Sequence, residues 1–152
     1  MPPVTHYRPN DYPSLILFLE TTFTGMGREF LPDQKDSDIR DINTVYLSNR
    51  GSFFVLEVDG QIRGCVGVRR FSDDVAELKR LYLDPAYRGT GIGFALCAAA
   101  IGAARELGYN ALRLDTTLQS EAALGLFKKL GFRVIERYND DPFAEVFMEL
   151  SL

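Results

Sequence analysis

Arg88, Gly89, Thr90, Gly91, Ile92 and Gly93 follow one another in the chain, and a cation leading three alternate glycines is suited to holding an anion. Glycine carries no Cβ, so its backbone N–H can approach a ligand closely and take conformations closed to other residues. The residues that follow make the arrangement directional. Ile92, Ala95, Leu96, Ala99, Ala103 and Leu107 recur at helical spacing, and Gly108 is placed to stop the helix. The loop amides therefore lie at the positive end of a helix dipole, where phosphate groups bind. Two well-known phosphate motifs do not fit. A P-loop needs Gly-Lys-Ser/Thr after its first glycine, and no Lys follows any glycine in this chain. A dinucleotide fingerprint needs Gly-x-Gly-x-x-Gly, but its third glycine would fall on Phe94 or Leu96. Asp115, at the end of the next apolar run, imitates the ribose-binding acid of such folds without the fingerprint to support it.

The elements on either side must position this turn. Residues 77–83 are rich in Leu and Tyr and read as a strand, ended by Asp84-Pro85 because Pro removes a donor and holds its predecessor extended. Leu81 and Leu83 share one face, but Leu78 falls on the opposite parity. One extra residue near Lys79-Arg80 restores the pattern, which predicts a β-bulge that bends the strand and frees backbone groups. Upstream, residues 52–58 and 62–70 flank Asp59-Gly60 and read as a two-residue hairpin. A short edge strand is expected over 5–8, then a helix capped by Asp11 with Pro13 in its first turn and Leu15, Ile16, Leu19 and Phe23 on its buried face. Val45, Tyr46 and Leu47 suggest a further helical turn. Downstream, Ser120 is placed to cap a helix whose core face is Ala123, Leu126, Phe127 and Leu130, with Gly131 ending it. Residues 132–138 and 143–150 read as a closing antiparallel pair.

The 152 residues suit a single domain, and 46% hydrophobic with 25% charged residues is the composition of an ordinary globule. With a net charge of -4 and no long Lys/Arg run, nucleic acid and anionic membrane are not expected partners. The apolar runs are shorter than a membrane span and Met1-Pro2-Pro3-Val4 lacks the form of a signal peptide, so a cytoplasmic protein is expected. Cys65 and Cys97 read as buried thiols, and with His6 the only histidine no metal site is expected.

The strand, turn and helix resemble motif A of the GCN5-related N-acetyltransferase (GNAT) family, whose pattern Arg/Gln-x-x-Gly-x-Gly/Ala binds the pyrophosphate of acetyl coenzyme A. The stretch Leu81-Tyr82-Leu83-Asp84-Pro85-Ala86-Tyr87-Arg88-Gly89 is similar to the family's strand and approach. Leu126-Phe127-Lys128-Lys129-Leu130-Gly131-Phe132 resembles its second motif, and together the two cover about the C-terminal half. The resemblance implies an α/β fold of order β-α-α-β-β-β-α-β-α-β-β, one acetyltransferase domain over residues 1–152, with a twisted mixed sheet splayed between strands 77–83 and 111–114. The amides of pantetheine would pair with backbone around Leu81, Tyr82 and Leu83 in that gap, as an added strand does. Acetyl-CoA is then the cosubstrate, without metal, and the acceptor is a primary amine of a small molecule or a free amine. The resemblance leaves a homodimer open.

An amine with pKa near ~10 is protonated at neutral pH, so acyl transfer by direct attack in a ternary complex needs a base. Glu77, where the family often places a carboxylate facing the acceptor, is the candidate; the alternative is a surface carboxylate neutralising Lys79 or Arg80. A backbone N–H near residues 81–83 could steady the oxyanion. Two positions depart from the family pattern. Ser120 stands where many members have an Asn contacting pantetheine, and Phe127, expected beside the pantetheine arm and facing the ligand gap, replaces the Tyr that would protonate the leaving sulfur. That departure keeps a second reading open, a coenzyme A-binding module with weak or lost catalysis. The resemblance also implies that residues 30–43 wall the acceptor side, where Asp33, Asp36, Asp38 and Asp41 would line a mouth for an amine; on residue pattern alone they are solvated helix surface.

Overall fold

A computed structural model of the protein describes residues 2–152. Its strands are β1 (Val4–His6), β2 (Ser52–Val58), β3 (Gln61–Arg70), β4 (Val75–Leu83), β5 (Ala111–Thr116), β6 (Arg133–Ile135) and β7 (Val146–Ser151). The helices are α1 (Tyr12–Gly25), α2 (Ser37–Arg40), α3 (Ile92–Glu106) and α4 (Glu121–Lys129), and a π-helical turn spans Asn43–Leu47. The element order is the one expected, and the strands form a seven-stranded mixed sheet in the order β1-β2-β3-β4-β5-β7-β6. Every pairing is antiparallel except β4 with β5. Asp59 and Gly60, both at positive φ, make the tight turn from β2 to β3.

Each face of the sheet buries its own core. Leu96, Cys97, Ala100 and Ala104 of α3 and Phe127 of α4 pack with Leu56, Val66, Val68, Leu78 and Leu112 on one face. On the other, Leu15, Leu19 and Phe23 of α1 pack with Ile39, Tyr46, Phe53, Val55 and Cys65. The small residues of α3 let the helix lie close over β2 and β3. Gly67 does the same on the opposite face, where a Cβ would sit 2.7 Å from the Tyr46 ring.

Four local expectations are corrected. The edge strand is Val4–His6 rather than 5–8, because Arg8 turns into the short 3-10 segment Pro9–Asp11. Asp11 precedes α1 but does not cap it; its carboxylate accepts the Arg8 N–H at 2.8 Å instead. Ser120 likewise precedes α4 without a capping bond, its hydroxyl lying 3.2 Å from that of Thr117. The last two strands are shorter than read, since Arg137 ties down the intervening loop through the carbonyls of Asn139, Asp141 and Ala144.

The β4–β5 pairing is brief. Val75, Ala76 and Glu77 pair with Ala111, Leu112 and Arg113, and pairing goes no further. At this closed end, Arg50 donates to the carbonyl of Asp73 at 2.6 Å and to that of Leu107 at 3.0 and 3.2 Å, and stacks 4.0 Å from the centre of the Tyr109 ring. The Tyr109 hydroxyl returns a bond to the Arg50 carbonyl at 2.6 Å. Beyond it the two halves of the sheet part.

Candidate active site

The glycine-rich turn is built as an open cluster of donors. Pro85–Tyr87 forms a 3-10 turn held by the Asp84 carboxylate, which accepts the Ala86 N–H at 2.9 Å. Gly89 and Gly91 then take φ of 74° and 86°, the left-handed region that side chains with a Cβ avoid. Thr90 braces the turn through its hydroxyl on the Tyr87 carbonyl. The first bond of α3 runs from the Ala95 N–H to the Gly91 carbonyl at 3.1 Å. The amides of residues 89–94 thereby find no backbone acceptor among the described residues, at the positive end of a 15-residue helix. Gly89 has open space where a Cβ would stand, and Gly93 faces Leu126 of α4 at 3.5 Å. Arg88 is exposed beside them. The cluster fits a pyrophosphate.

Between turn and closed end, β4 carries the irregularity that its parity break foretold. Tyr82 pairs with Cys65 and Lys79 with Gly67, so Arg80 and Leu81 together oppose Val66, and Arg80 has a φ of 57°. Past Glu77 the β5 side of β4 is unpaired, while β5 continues its ladder with β7. The gap therefore opens along residues 78–83 of β4, about 20 Å of strand at ~3.3 Å per residue, and takes in the backbone of Leu81, Tyr82 and Leu83. Leu81 and Leu83 turn toward α3, and Tyr82 toward α1, where its ring meets Phe23.

Glu77 is the last β4 residue paired to β5, at the vertex of the gap. Its side chain is only 4% exposed. One carboxylate oxygen accepts from Arg69 Nη2 at 3.1 Å and the other from the Tyr138 hydroxyl at 2.7 Å. Its partners are thus Arg69 and Tyr138, not Lys79 or Arg80, and it is no surface carboxylate. Burial, then the charge of Glu77 and its hydrogen bond, push the Tyr138 phenol well above its ordinary value, so it stays a donor. Phe71 and Tyr138 enclose the Arg113 guanidinium at 4.8 and 4.7 Å, and Glu149 pairs with it at 2.7 Å.

The acidic segment departs from the expectation of a solvated surface. Asp36 and Asp38 are buried and bound to Arg80, whose side chain is 13% exposed. Arg80 grips both oxygens of Asp38 at 2.6 and 3.0 Å and reaches Asp36 at 2.9 Å. The Tyr46 hydroxyl adds a bond to Asp38 at 2.6 Å, and Asp36 also takes the Leu31 N–H and Lys35. Burial raises the Asp38 carboxyl, but Arg80 and Tyr46 outweigh it and hold it below its ordinary value. Asp36 is lowered too, burial being outweighed by Leu31, Lys35 and Arg80. Asp33 pairs with Arg40 in the open. No row of free carboxylates lines a mouth here.

Phe127 is the other correction. Its ring is 3% exposed and packs edge-to-face on Phe132 at 5.6 Å, inside the core rather than facing the gap. The α4 side chain that meets the glycine turn is Leu126. Ile92 is buried at the start of α3, and its backbone amide is what it brings to the turn. Arg69 and Tyr138 were not among the residues singled out from sequence, and Arg80 entered only as the place of the bulge and as an alternative partner of Glu77.

The Acetyltransferase (GNAT) family model matches residues 15–132. The chain belongs to this family. Among its relatives are a probable N-acetyltransferase camello of Xenopus tropicalis, 35% identical over 118 residues, and an uncharacterized N-acetyltransferase, YjgM, of Escherichia coli K12, 31% identical over 104. These matches span 76% and 66% of this chain but 52% and 62% of those proteins, so the GNAT chain spans about half to three-fifths of their length. Among solved structures, a GNAT-family acetyltransferase of Staphylococcus aureus Mu50 superposes with a TM-score of 0.88 at 21% identity, covering 99% of both chains. YncA, a putative acetyltransferase of Salmonella typhimurium solved with acetyl-CoA, gives 0.76 at 18% identity, covering 99% of this chain and 94% of that one. These show the fold. Among the described residues no helix is long and apolar enough to cross a membrane, and no cluster of His, Cys, Asp and Glu could hold a metal ion.

Proposed function

We propose that residues 1–152 act as one N-acetyltransferase domain, moving an acetyl group from acetyl-CoA to a primary amine of a small molecule or a free amine, in the cytoplasm. The observation that carries this is the continuity of the amides at 89–94 with the parted edge of β4, an anion site opening into a slot with Glu77 at its far end. Arg88 and the amides at 89–93 hold the pyrophosphate, and the backbone of Leu81, Tyr82 and Leu83 pairs with the amides of pantetheine. Acetyl-CoA, as substrate, supplies a thioester whose thiol, of pKa ~8.5, leaves tolerably as the anion. Ser120 belongs to the mouth of the slot, and Phe127 supports α4 from within the core.

Glu77 takes the proton that the ammonium must lose before attack. The carboxylate is enclosed, but Tyr138 is only part-buried, so the phenol bridges them: the amine gives a proton to the Tyr138 oxygen as Tyr138 gives its own to Glu77. Arg69 holds the carboxylate in place. Cys65 and Cys97 are pushed up to about 12 by burial, which leaves no thiolate for a covalent acyl-enzyme and supports direct attack. Phe127, turned into the core, takes no part in departure of the sulfur, and the second reading, coenzyme binding without turnover, is separated from the first by experiment.

Thiol release from acetyl-CoA across amine, amino-acid and peptide acceptors, with calorimetry on the wild type and Arg88→Glu, tests the proposal. Turnover with at least one amine is expected, along with an affinity loss of about tenfold or more in the variant from reversing a charge at the anion site. Binding without turnover selects the second reading. No binding overturns both.

A further inference from the structure

Four charged residues of alternating sign stand in one row across the sheet. Arg69 on β3 is the register partner of Glu77 on β4, Glu77 of Arg113 on β5, and Arg113 of Glu149 on β7. Ala76, Leu78, Leu112, Leu114, Met148 and Leu150 face the core beneath α3 and α4, so by strand alternation Glu77, Arg113 and Glu149 between them point to the opposite face. The core under α1 takes no residue from β5 or β7, and what lies over Arg113 there is Phe71, just past β3, and Tyr138, in the loop between β6 and β7. Opposite charges at facing positions of neighbouring strands ordinarily pair, and Glu77 takes Arg69 in that way at 3.1 Å. Arg113 faces Glu77 from the other side and does otherwise. Among the described residues its only salt bridge is to Glu149, whose Oε2 accepts its Nε at 3.2 Å and its Nη2 at 2.7 Å, and the two side chains are 19% and 17% exposed. The guanidinium lies 4.7 Å from the centre of the Tyr138 ring, an attraction that fixes the ring and with it the direction of the hydroxyl. Glu77 Oε2 is thereby left to Tyr138, at 2.7 Å. A guanidinium that took its register partner instead would occupy that oxygen and withdraw from the ring.

We propose that Arg113 and Glu149 are positioning residues for the proton path: Glu149 holds the Arg113 guanidinium off the base, and the guanidinium, lying against the Tyr138 ring, aims the phenol at the remaining oxygen of Glu77. This rests on the Tyr138 bridge proposed above. Neither residue acts on the acceptor or on acetyl-CoA; each acts through Tyr138.

Glu149→Gln and Arg113→Met, each alone and combined with Tyr138→Phe, test this. Thiol release is followed with acetyl-CoA and the best amine of the acceptor panel, and carbon NMR is recorded on the full chain carrying tyrosine labelled at Cζ, the Tyr138 signal being the one lost in Tyr138→Phe. Both changes are expected to lower kcat by about tenfold or more, as misplacement of a reacting group does, with the Kd for acetyl-CoA near that of the wild type. In the Tyr138→Phe background either change should move kcat by less than about twofold, because residues acting through one partner are not additive. The Tyr138 Cζ signal should shift in both variants as the hydroxyl leaves Glu77. Should Arg113→Met fail to fold with Glu149 left buried and unpaired, Arg113→Met with Glu149→Gln carries the same comparison. Losses that add to that of Tyr138→Phe overturn the proposal, and an unmoved Cζ signal in either variant does so whether or not any amine turns over. A loss of kcat in Tyr138→Phe with none in Glu149→Gln and Arg113→Met overturns this proposal alone. A wild-type kcat in Tyr138→Phe overturns the bridge and the proposal with it.

Discussion

Glu77 shows how far a single residue can be read. Its place at the start of a strand that must bulge is visible in the sequence, but its partners are not. Tyr138 lies 61 residues away, and Arg69 faces it only because β3 and β4 pair in one particular register. Those partners sharpen what substitution should do. Glu77→Gln is expected to lower kcat by roughly 10² or more while coenzyme binding, by calorimetry, stays near normal. Tyr138→Phe should leave Glu77 charged but unreachable, so kcat should fall by roughly 10² or more, the usual worth of a positioned acid–base group; a wild-type rate would remove the bridge. Phe127 invites the opposite expectation. A hydroxyl added to a ring packed against Phe132 in the core buries a donor with no partner and should cost about 1–3 kcal/mol in urea denaturation, with kcat unchanged. The family resemblance gave that ring a ligand-facing role, whereas the helical spacing of Ala123, Leu126, Phe127 and Leu130 put it on the core face, where it lies.

At the level of elements, local pattern carried further. The hairpin across Asp59-Gly60, the long helix after the glycine turn, and the bulge inferred from the parity of Leu78 against Leu81 are each dictated by residues close in sequence. The π character of the turn at Asn43–Leu47 and the burial of the acidic segment are not. Asp36 and Asp38 look like solvated aspartates until Arg80 arrives from a strand more than 40 residues on. Their stability contribution has a definite sign. Both carboxyls lie below their ordinary value of 3.8 when folded. The stabilisation is therefore complete above the unfolded value and is lost as pH falls through the folded one. Urea midpoints should hold steady at neutral pH and decline below about pH 4, and Asp38→Asn should flatten part of that decline. A variant as acid-sensitive as the wild type would show that the Arg80 cluster does not govern it.

For the molecule as a whole, the order of strands was legible through the resemblance of its motifs to a family. The splay between β4 and β5 was legible in the same way, but the residue at which their ladder stops was not, since nothing in either strand marks it. Three residue pairs and the Arg50–Tyr109 bridge join the two halves at one end. Such a sheet is a book bound along a short spine, and a ligand lying between the covers supplies the hydrogen bonds that the pages lack. Acetyl-CoA at a hundred times its Kd should add about 2.7 kcal/mol and raise the melting temperature by roughly 5–10 °C. Arg50→Ala, which weakens the spine, should lower the unliganded melting temperature while leaving that rise largely in place. A chain arranged in this way has its lowest stability when empty, so unfolding should begin at the open edge of the book, and under the proposed function the pantetheine arm of acetyl-CoA would stand in as the missing strand.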